Sequence, residues 1–166
     1  LNFQGEVGLN LEDLPRFIPD GKKALEPYQL SGIVNIKGEF KGDAVHWQDW
    51  QYNLTGESPL FSIWGVKLKN MKFNAAQKNN LLKPLRLWGE FYDGDLNAVA
   101  SIDFARKDMP FDLIMRVLNA NVAQLKTDTP FKKQSLAGGL STTMFLDGTL
   151  SDLKNIHGKG GIEIKD

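Results

Sequence analysis

The sequence predicts a mainly β fold: a long twisted antiparallel sheet curved into a groove or half-barrel, with one or two short packed α-helices. Three observations carry this. Apolar and polar residues alternate with period two over runs of about ten residues, longer than the usual strand of roughly 5–6. The chain holds 16 Gly, 10 Phe, 4 Trp and 3 Tyr, a balance that favours strands and turns. Helical spacing, by contrast, shows in only two places.

The elements follow in order. Leu1, Phe3, Gly5, Val7, Leu9 and Leu11 alternate with polar or small residues, so their side chains share one face of a strand. The Leu1–Gly5 string has some likeness to a protease-site scar. It reads as native because the same alternation runs on unbroken to Leu11. Glu12-Asp13-Leu14-Pro15 then starts a short or broken helix, with Leu14, Phe17, Ile18 and Leu25 on its apolar side and Pro19, Gly21 and Pro27 limiting it. Leu30 to Phe40 is a second strand and Gly42-Asp43 a turn. Val45 to Leu54 is an aromatic-rich strand, Gly56 to Pro59 a break, and Leu60 to Phe73 one long strand. The polar run Asn74 to Asn80 reads as a loop. Leu85 to Tyr92 and Asp95 to Phe104 form a hairpin about Asp93-Gly94, a pair suited to a type I′ turn. Pro110 to Lys126 shifts to helical spacing, with Phe111, Ile114, Met115, Leu118, Val122 and Leu125 as its stripe. Asp108 or Asp112 suits its positive end and Lys126 its negative end. Leu136 to Leu146 returns to strand, Asp147-Gly148 turns, and Gly160 to Lys165 is a last short strand.

Composition excludes several function classes. With 20 basic and 20 acidic residues the net charge is +0, without the basic footprint of a nucleic-acid binder. There is no Cys and only His46 and His157, which removes thiol chemistry and disulfides and leaves little for metal or Ser–His chemistry. No run reaches the roughly 18 apolar residues of a membrane-spanning helix, and no signal peptide opens the chain.

Short motifs fare no better as chemistry. Asp93, Asp95 and Asn97 begin like a calcium loop, but Ala98 and Phe104 stand where glycine and glutamate are needed. Gly158-Lys159-Gly160-Gly161 lacks the spacing of a phosphate loop. Gly56-Glu57-Ser58-Pro59 lacks the second glycine of a nucleophile elbow. Asn53-Leu54-Thr55 is a glycosylation acceptor by letters only. Trp47, Trp50, Trp64 and Trp88 read as sheet core and cross-strand pairs before interface or ligand-stacking residues. The expectation is no enzyme, no cofactor and no metal.

Two stretches echo each other. Leu11-Glu12-Asp13-Leu14 leads to Leu30-Ser31-Gly32 and then Gly42, and Phe111-Asp112-Leu113 leads to Leu136-Ala137-Gly138 and then Gly148. The echo implies sheet-plus-helix units, about 1–105 and 106–166, within one segment of a larger repetitive protein.

The stretch from Leu136-Ala137-Gly138 through Phe145-Leu146-Asp147-Gly148-Thr149-Leu150 to Gly158-Lys159-Gly160-Gly161-Ile162 resembles the C-terminal region of AsmA-like proteins, as does the hairpin Leu87-Trp88-Gly89-Glu90-Phe91-Tyr92-Asp93-Gly94. Gly161 departs from the family pattern, which usually has a side chain there. The resemblance implies a Gram-negative envelope protein, anchored in the inner membrane through a parent chain and lying in the periplasm. It implies an apolar groove, a part in outer-membrane biogenesis, and phospholipid as partner with no catalytic motif.

Long one-faced strands with few helices leave an apolar face uncovered, and such a face usually marks a binding surface. The groove candidates are Phe3, Val7, Leu9, Val34, Ile36, Phe40, Leu87, Phe91, Ile102 and Phe104. They would shield acyl chains. The alternatives are a structural or protein-interaction module that assists outer-membrane protein assembly by strand pairing, and a carbohydrate-binding β-sandwich that uses the tryptophans.

Overall fold

A computed structural model describes residues 2–16, 26–42, 49–129 and 137–165. Nine antiparallel strands form one sheet in strict sequence order. They are β1 (Asn2–Asn10), β2 (Ile33–Lys41), β3 (Gln51–Ile63), β4 (Val66–Lys78), β5 (Leu81–Phe91), β6 (Gly94–Asp103), β7 (Pro110–Asn121), β8 (Gly139–Thr149) and β9 (Asp152–Lys165). The sheet is curved and does not close into a barrel. At roughly 3.3 Å per residue β3 and β4 run about 40 Å. The fold class read from alternation and glycine content is the one observed.

Because neighbours in sequence are neighbours in the sheet, all odd strands run one way. Two ends result. At the first end lie the β3–β4 turn Trp64-Gly65, the β5–β6 turn Tyr92-Asp93, and both helical connections. The β1–β2 connection begins with a 3₁₀ helix (Leu11–Arg16) and holds a second (Glu26–Tyr28). The β7–β8 connection holds the α-helix α1 (Val122–Thr127).

These connections share a local geometry. Asn10 and Asn121 each accept a backbone N–H two or three residues on, from Glu12 at 3.1 Å and from Gln124 at 3.2 Å. Leu11 and Val122, the first helical residues, are buried. Each donates its N–H to a glycine carbonyl at 3.0 Å, Leu11 to Gly32 and Val122 to Gly138. Both glycines hold positive φ, +121° and +103°, which a residue with a Cβ rarely adopts. The second half of the sequence echo, Leu-Ser-Gly against Leu-Ala-Gly, therefore coincides with matched glycines. In the first half the match is Asn10-Leu11 with Asn121-Val122.

Two clusters of the buried core sit at this capped end, while Ala75, Gln77 and Leu82 are buried farther along the same face. Leu11, Val34, Leu68 and Met71 form one cluster, and Tyr92, Val117 and Ala120 a second. Tyr28 stacks on Trp64 at 5.6 Å, and the Trp64 N–H donates to the Tyr28 carbonyl at 2.8 Å. Lys67 Nζ and the Tyr92 hydroxyl both donate to the Asp128 carboxylate, at 3.1 and 3.0 Å. The Lys67 backbone N–H donates to Tyr92 Oη at 3.1 Å. Gln124 bonds Asp93 across the same corner.

Several expectations are corrected. Pro110 to Asn121 is strand β7, and only Val122–Thr127 is helical. Phe111, Leu113, Met115 and Val117 alternate as well as they follow a helical stripe, and β6 and β8 offer a ladder on both sides. The expected stripe splits: Phe111 and Met115 lie on one sheet face, Ile114 and Leu118 on the other. Asp112 sits on a strand, and Asp108 pairs with Arg106 at 2.7 Å in the β6–β7 turn. Asn74 to Lys78 belongs to β4, with a turn at Asn79-Asn80, both at positive φ. Gly56 to Pro59 lies inside β3, not at a break. Leu60 to Phe73 is two strands joined at Trp64-Gly65. Asp147-Gly148 lies within β8, and the chain turns at Leu150-Ser151 into a last strand of 14 residues. The β5–β6 turn falls one residue early, at Tyr92-Asp93. Gly94 is needed for space, since a Cβ there would lie 2.2 Å from the Leu118 carbonyl oxygen. The expected helix opens as a 3₁₀ turn, while Phe17, Ile18, Pro19, Gly21, Leu25, Asp43, Val45, His46, Trp47 and Leu136 fall outside the described residues.

Candidate functional site: an apolar sheet face

Side chains directly opposite one another on neighbouring strands point to the same side of a sheet. The register therefore defines rows that cross the molecule. One row reads Val7, Ile36, Gly56, Phe73, Leu87, Ala98, Met115, Met144, Gly160. Two residues along, the next reads Gly5, Gly38, Leu54, Ala75, Leu85, Ala100, Leu113, Leu146, Gly158. Neither contains a polar side chain. A third runs Phe3, Phe40, Tyr52, Gln77, Leu82, Ile102, Phe111, Gly148. With strands about 4.8 Å apart, this apolar face is nearly 40 Å wide.

The intervening rows face the other way and are largely polar. One begins Glu6, Lys37, Thr55, Asn74, Arg86. Lys37 reaches Glu6 at 3.1 Å and Lys69 reaches Glu90 at 3.4 Å on this side. Val99, Ile114 and Phe145 continue the same row as an exposed apolar stripe that ends at Lys159, 5.9 Å over the Phe145 ring. Trp88 lies on this face too, in the row with Lys72 and Asn97.

Away from the capped end, Ala75, Gln77 and Leu82 are buried, and much of the rest of the apolar face is only half covered. Ile36, Phe40, Leu87, Ile102, Met115 and Met144 are half-buried, Val7 is 51% exposed and Ile162 in β9 is 73% exposed. A second layer over the face would bring most of them below a tenth, as it does for Val34 at 5% beneath the first 3₁₀ helix.

Alternation and register put the groove candidates Phe3, Val7, Leu9, Val34, Ile36, Phe40, Leu87, Phe91 and Ile102 on this one face. The Phe3 side chain itself lies outside the described residues. Leu9 and Phe91 pack against the Leu11 cluster and Val34 belongs to it, so these three line the closed end. Phe104 sits past the end of β6, half-buried in the β6–β7 turn, with its N–H on the Asn80 carbonyl at 2.7 Å. Sequence reasoning missed the centre of the face: Phe73, read as the end of a long strand but not as groove, Ala75, inside a stretch read as a loop, and Leu113 and Met115, assigned to a helix. The pattern Met71-x-Phe73-x-Ala75 carried the signal.

At the opposite end Lys41 pairs with Gln51, and Lys78 ends β4; all three stand on the polar face, next in sequence to Phe40, Tyr52 and Gln77. A concavity of about 690 Å³ opens there, lined mostly by residues of the polar face, Gln4, Glu39, Lys41, Gln51, Asn53 and Lys78 among them. Burial pushes the Tyr52 phenol above its ordinary value. Trp50 meets Phe40 edge to face at 4.4 Å beside it.

The remaining motifs resolve as structure. Asp93 is in a turn, and Asp95 and Asn97 lie along β6. His157 is exposed in β9. Among the described residues no group of three or more His, Cys, Asp or Glu side chains is placed to hold a metal ion. No helix among them is long and apolar enough to cross a membrane. Comparisons with protein-family models, with curated proteins and with solved structures give no match to this chain.

Proposed function

We propose that this chain is a non-catalytic lipid-handling scaffold whose apolar sheet face shields phospholipid acyl chains. The single observation behind this reading is the pair of unbroken apolar rows across all nine strands, most of whose side chains are only half-buried. An acyl chain laid on such a face leaves water at about 0.8 kcal/mol per buried methylene. No bond need form or break. Rows of Ala and Gly between Leu, Met and Phe give shallow troughs with no polar atom to desolvate. The charged face keeps the reverse side in water. The AsmA-like resemblance adds the setting: the periplasm, within an inner-membrane-anchored protein that serves outer-membrane biogenesis. The test is lipid uptake by the delipidated chain, read by native mass spectrometry. Bound phospholipid is expected, and a chain that stays lipid-free beside excess vesicles contradicts the proposal.

A second reading rests on β9. Among the described residues it pairs with β8 alone, and each of its described side chains is exposed. Such an edge offers backbone groups to a client strand, which fits an assembly-assisting module. Binding of an extended client peptide, abolished by Ile162→Pro, would favour this reading over lipid shielding.

A further inference from the structure

We infer that β9 pairs antiparallel with β9 of a second copy of this chain, about a two-fold axis at Gly161. The edge itself is the first argument. β9 is 14 residues long and holds no proline. Its apolar-face residues Gly158, Gly160, Ile162 and Ile164 carry no charge, so two devices that blunt an exposed edge are missing. The Gly161 carbonyl accepts from the Thr142 hydroxyl at 2.8 Å, so Gly161 turns its backbone groups toward β8. The alternate residues Gly158, Gly160, Ile162 and Ile164 then turn theirs away from the sheet. Topology names the partner. Nine antiparallel strands in sequence order make β1 and β9 run the same way. A copy added head to tail, with its apolar face on the same side, would set its β1 parallel to β9, and parallel pairing is rare in a sheet with one face in water. A copy turned about an axis normal to the sheet brings β9 antiparallel to β9 and keeps both apolar faces on one side.

Side chains set the register. With the axis at Gly161, Ile162 of one copy stands opposite Gly160 of the other, and Ile164 opposite Gly158. Each of these isoleucines, 73% and 43% exposed in the single chain, then covers a glycine. On the polar face Glu163 stands opposite Lys159, twice by symmetry, at the closely spaced positions of the ladder that carry no backbone hydrogen bond. Lys165, 3.1 Å from its own Glu163, stands opposite His157. Other axes fit less well. One at Lys159 sets that lysine against itself, and one at Ile162 sets Lys159 against Lys165. Like charges directly opposed destabilise a strand pair. An axis at Gly160 gives Glu163 a histidine, His157, in place of Lys159. The dimer occupies the edge that a client strand would use.

The experiment is analytical ultracentrifugation of the full chain over a concentration series, and a dimer is expected. E163K sets lysine against lysine at both symmetric positions and should weaken the dimer about tenfold. K159E/E163K exchanges the two charges and should restore it. The chain has no Cys, and a Cβ at 161 meets nothing within 4 Å. G161C therefore places one thiol on the axis without crowding its own sheet, and mild oxidation should link two chains through it. A chain that stays monomeric at every concentration overturns the inference. So does a dimer that E163K leaves as tight as the parent, one that K159E/E163K fails to restore, or one in which G161C remains unlinked, because the copies then meet elsewhere or in another register.

Discussion

Gly56 and Phe73 face each other across β3 and β4, and the phenylalanine ring lies over the glycine. A Cβ on residue 56 would stand 2.1 Å from the ring edge. Gly56→Val is therefore expected to cost about 1–3 kcal/mol in urea unfolding through overpacking, and Phe73→Leu in the same chain should recover part of it. Gly160 and Gly161 make a sharper contrast. A Cβ at 160 meets the Thr143 carbonyl oxygen at 2.4 Å, while at 161 nothing lies within 4 Å. Gly161→Thr should leave stability unchanged or raise it by up to about 1 kcal/mol, whereas Gly160→Thr should lower it. The Asp128 carboxyl is held below the usual carboxylate range, first by the hydrogen bond from Lys67 and then by that from Tyr92. A lowered native value means that Asp128 binds its proton more readily when unfolded. Its contribution is complete above the ordinary carboxylate range and disappears as pH falls through the lowered value. Asp128→Asn should accordingly be less stable than the parent at neutral pH, with the gap closing in acid. A gap that persists undiminished at pH 2 would refute this role.

The helical connections show what an element owes to its ends. Asn10 and Asn121 cap short helices that have too few residues to stand alone. Asn10→Ala and Asn121→Ala should each cost about 1 kcal/mol. Hydrogen exchange should speed up in 11–16 or 122–127 respectively, with little change in β4 and β5. Element type was legible where one period fitted alone, as in β1, β2 and β6. It failed where two periods fitted. Phe111 and Met115 satisfy both a helical stripe and an alternating strand, and only the ladders offered by β6 and β8 decide between them. Turns failed for a different reason. Tyr92 and Trp64 hold positive φ, at 50° and 53°, in positions usually filled by Gly, Asn or Asp, so residue type did not advertise them. The turn at Asn79-Asn80 has the expected chemistry but is hidden in a longer polar run.

At the scale of the whole molecule, one property organises the rest: a meander whose strands share one face with two rows free of polar side chains. That property was legible, because alternation assigns faces without knowledge of partners. It gathered Val7, Ile36, Phe40, Leu87 and Ile102 correctly onto one surface. The capped end was not legible, since it depends on where the Leu11 and Val122 segments dock. For that reason Val34 and Phe91 were read as groove and are found under or beside a cap.

Photo-crosslinking from both faces of the sheet tests the lipid-handling proposal most directly. A photoreactive residue at 36, 87 or 98 looks out from the apolar rows. One at 37, 86 or 99 looks out from the opposite face, and Val99 there is itself apolar and 45% exposed. With phospholipid vesicles present, adducts to acyl chains are expected from 36, 87 and 98 and not from 37, 86 and 99. Equal labelling from both sets, or labelling confined to the second, would contradict an acyl-chain groove on the apolar face.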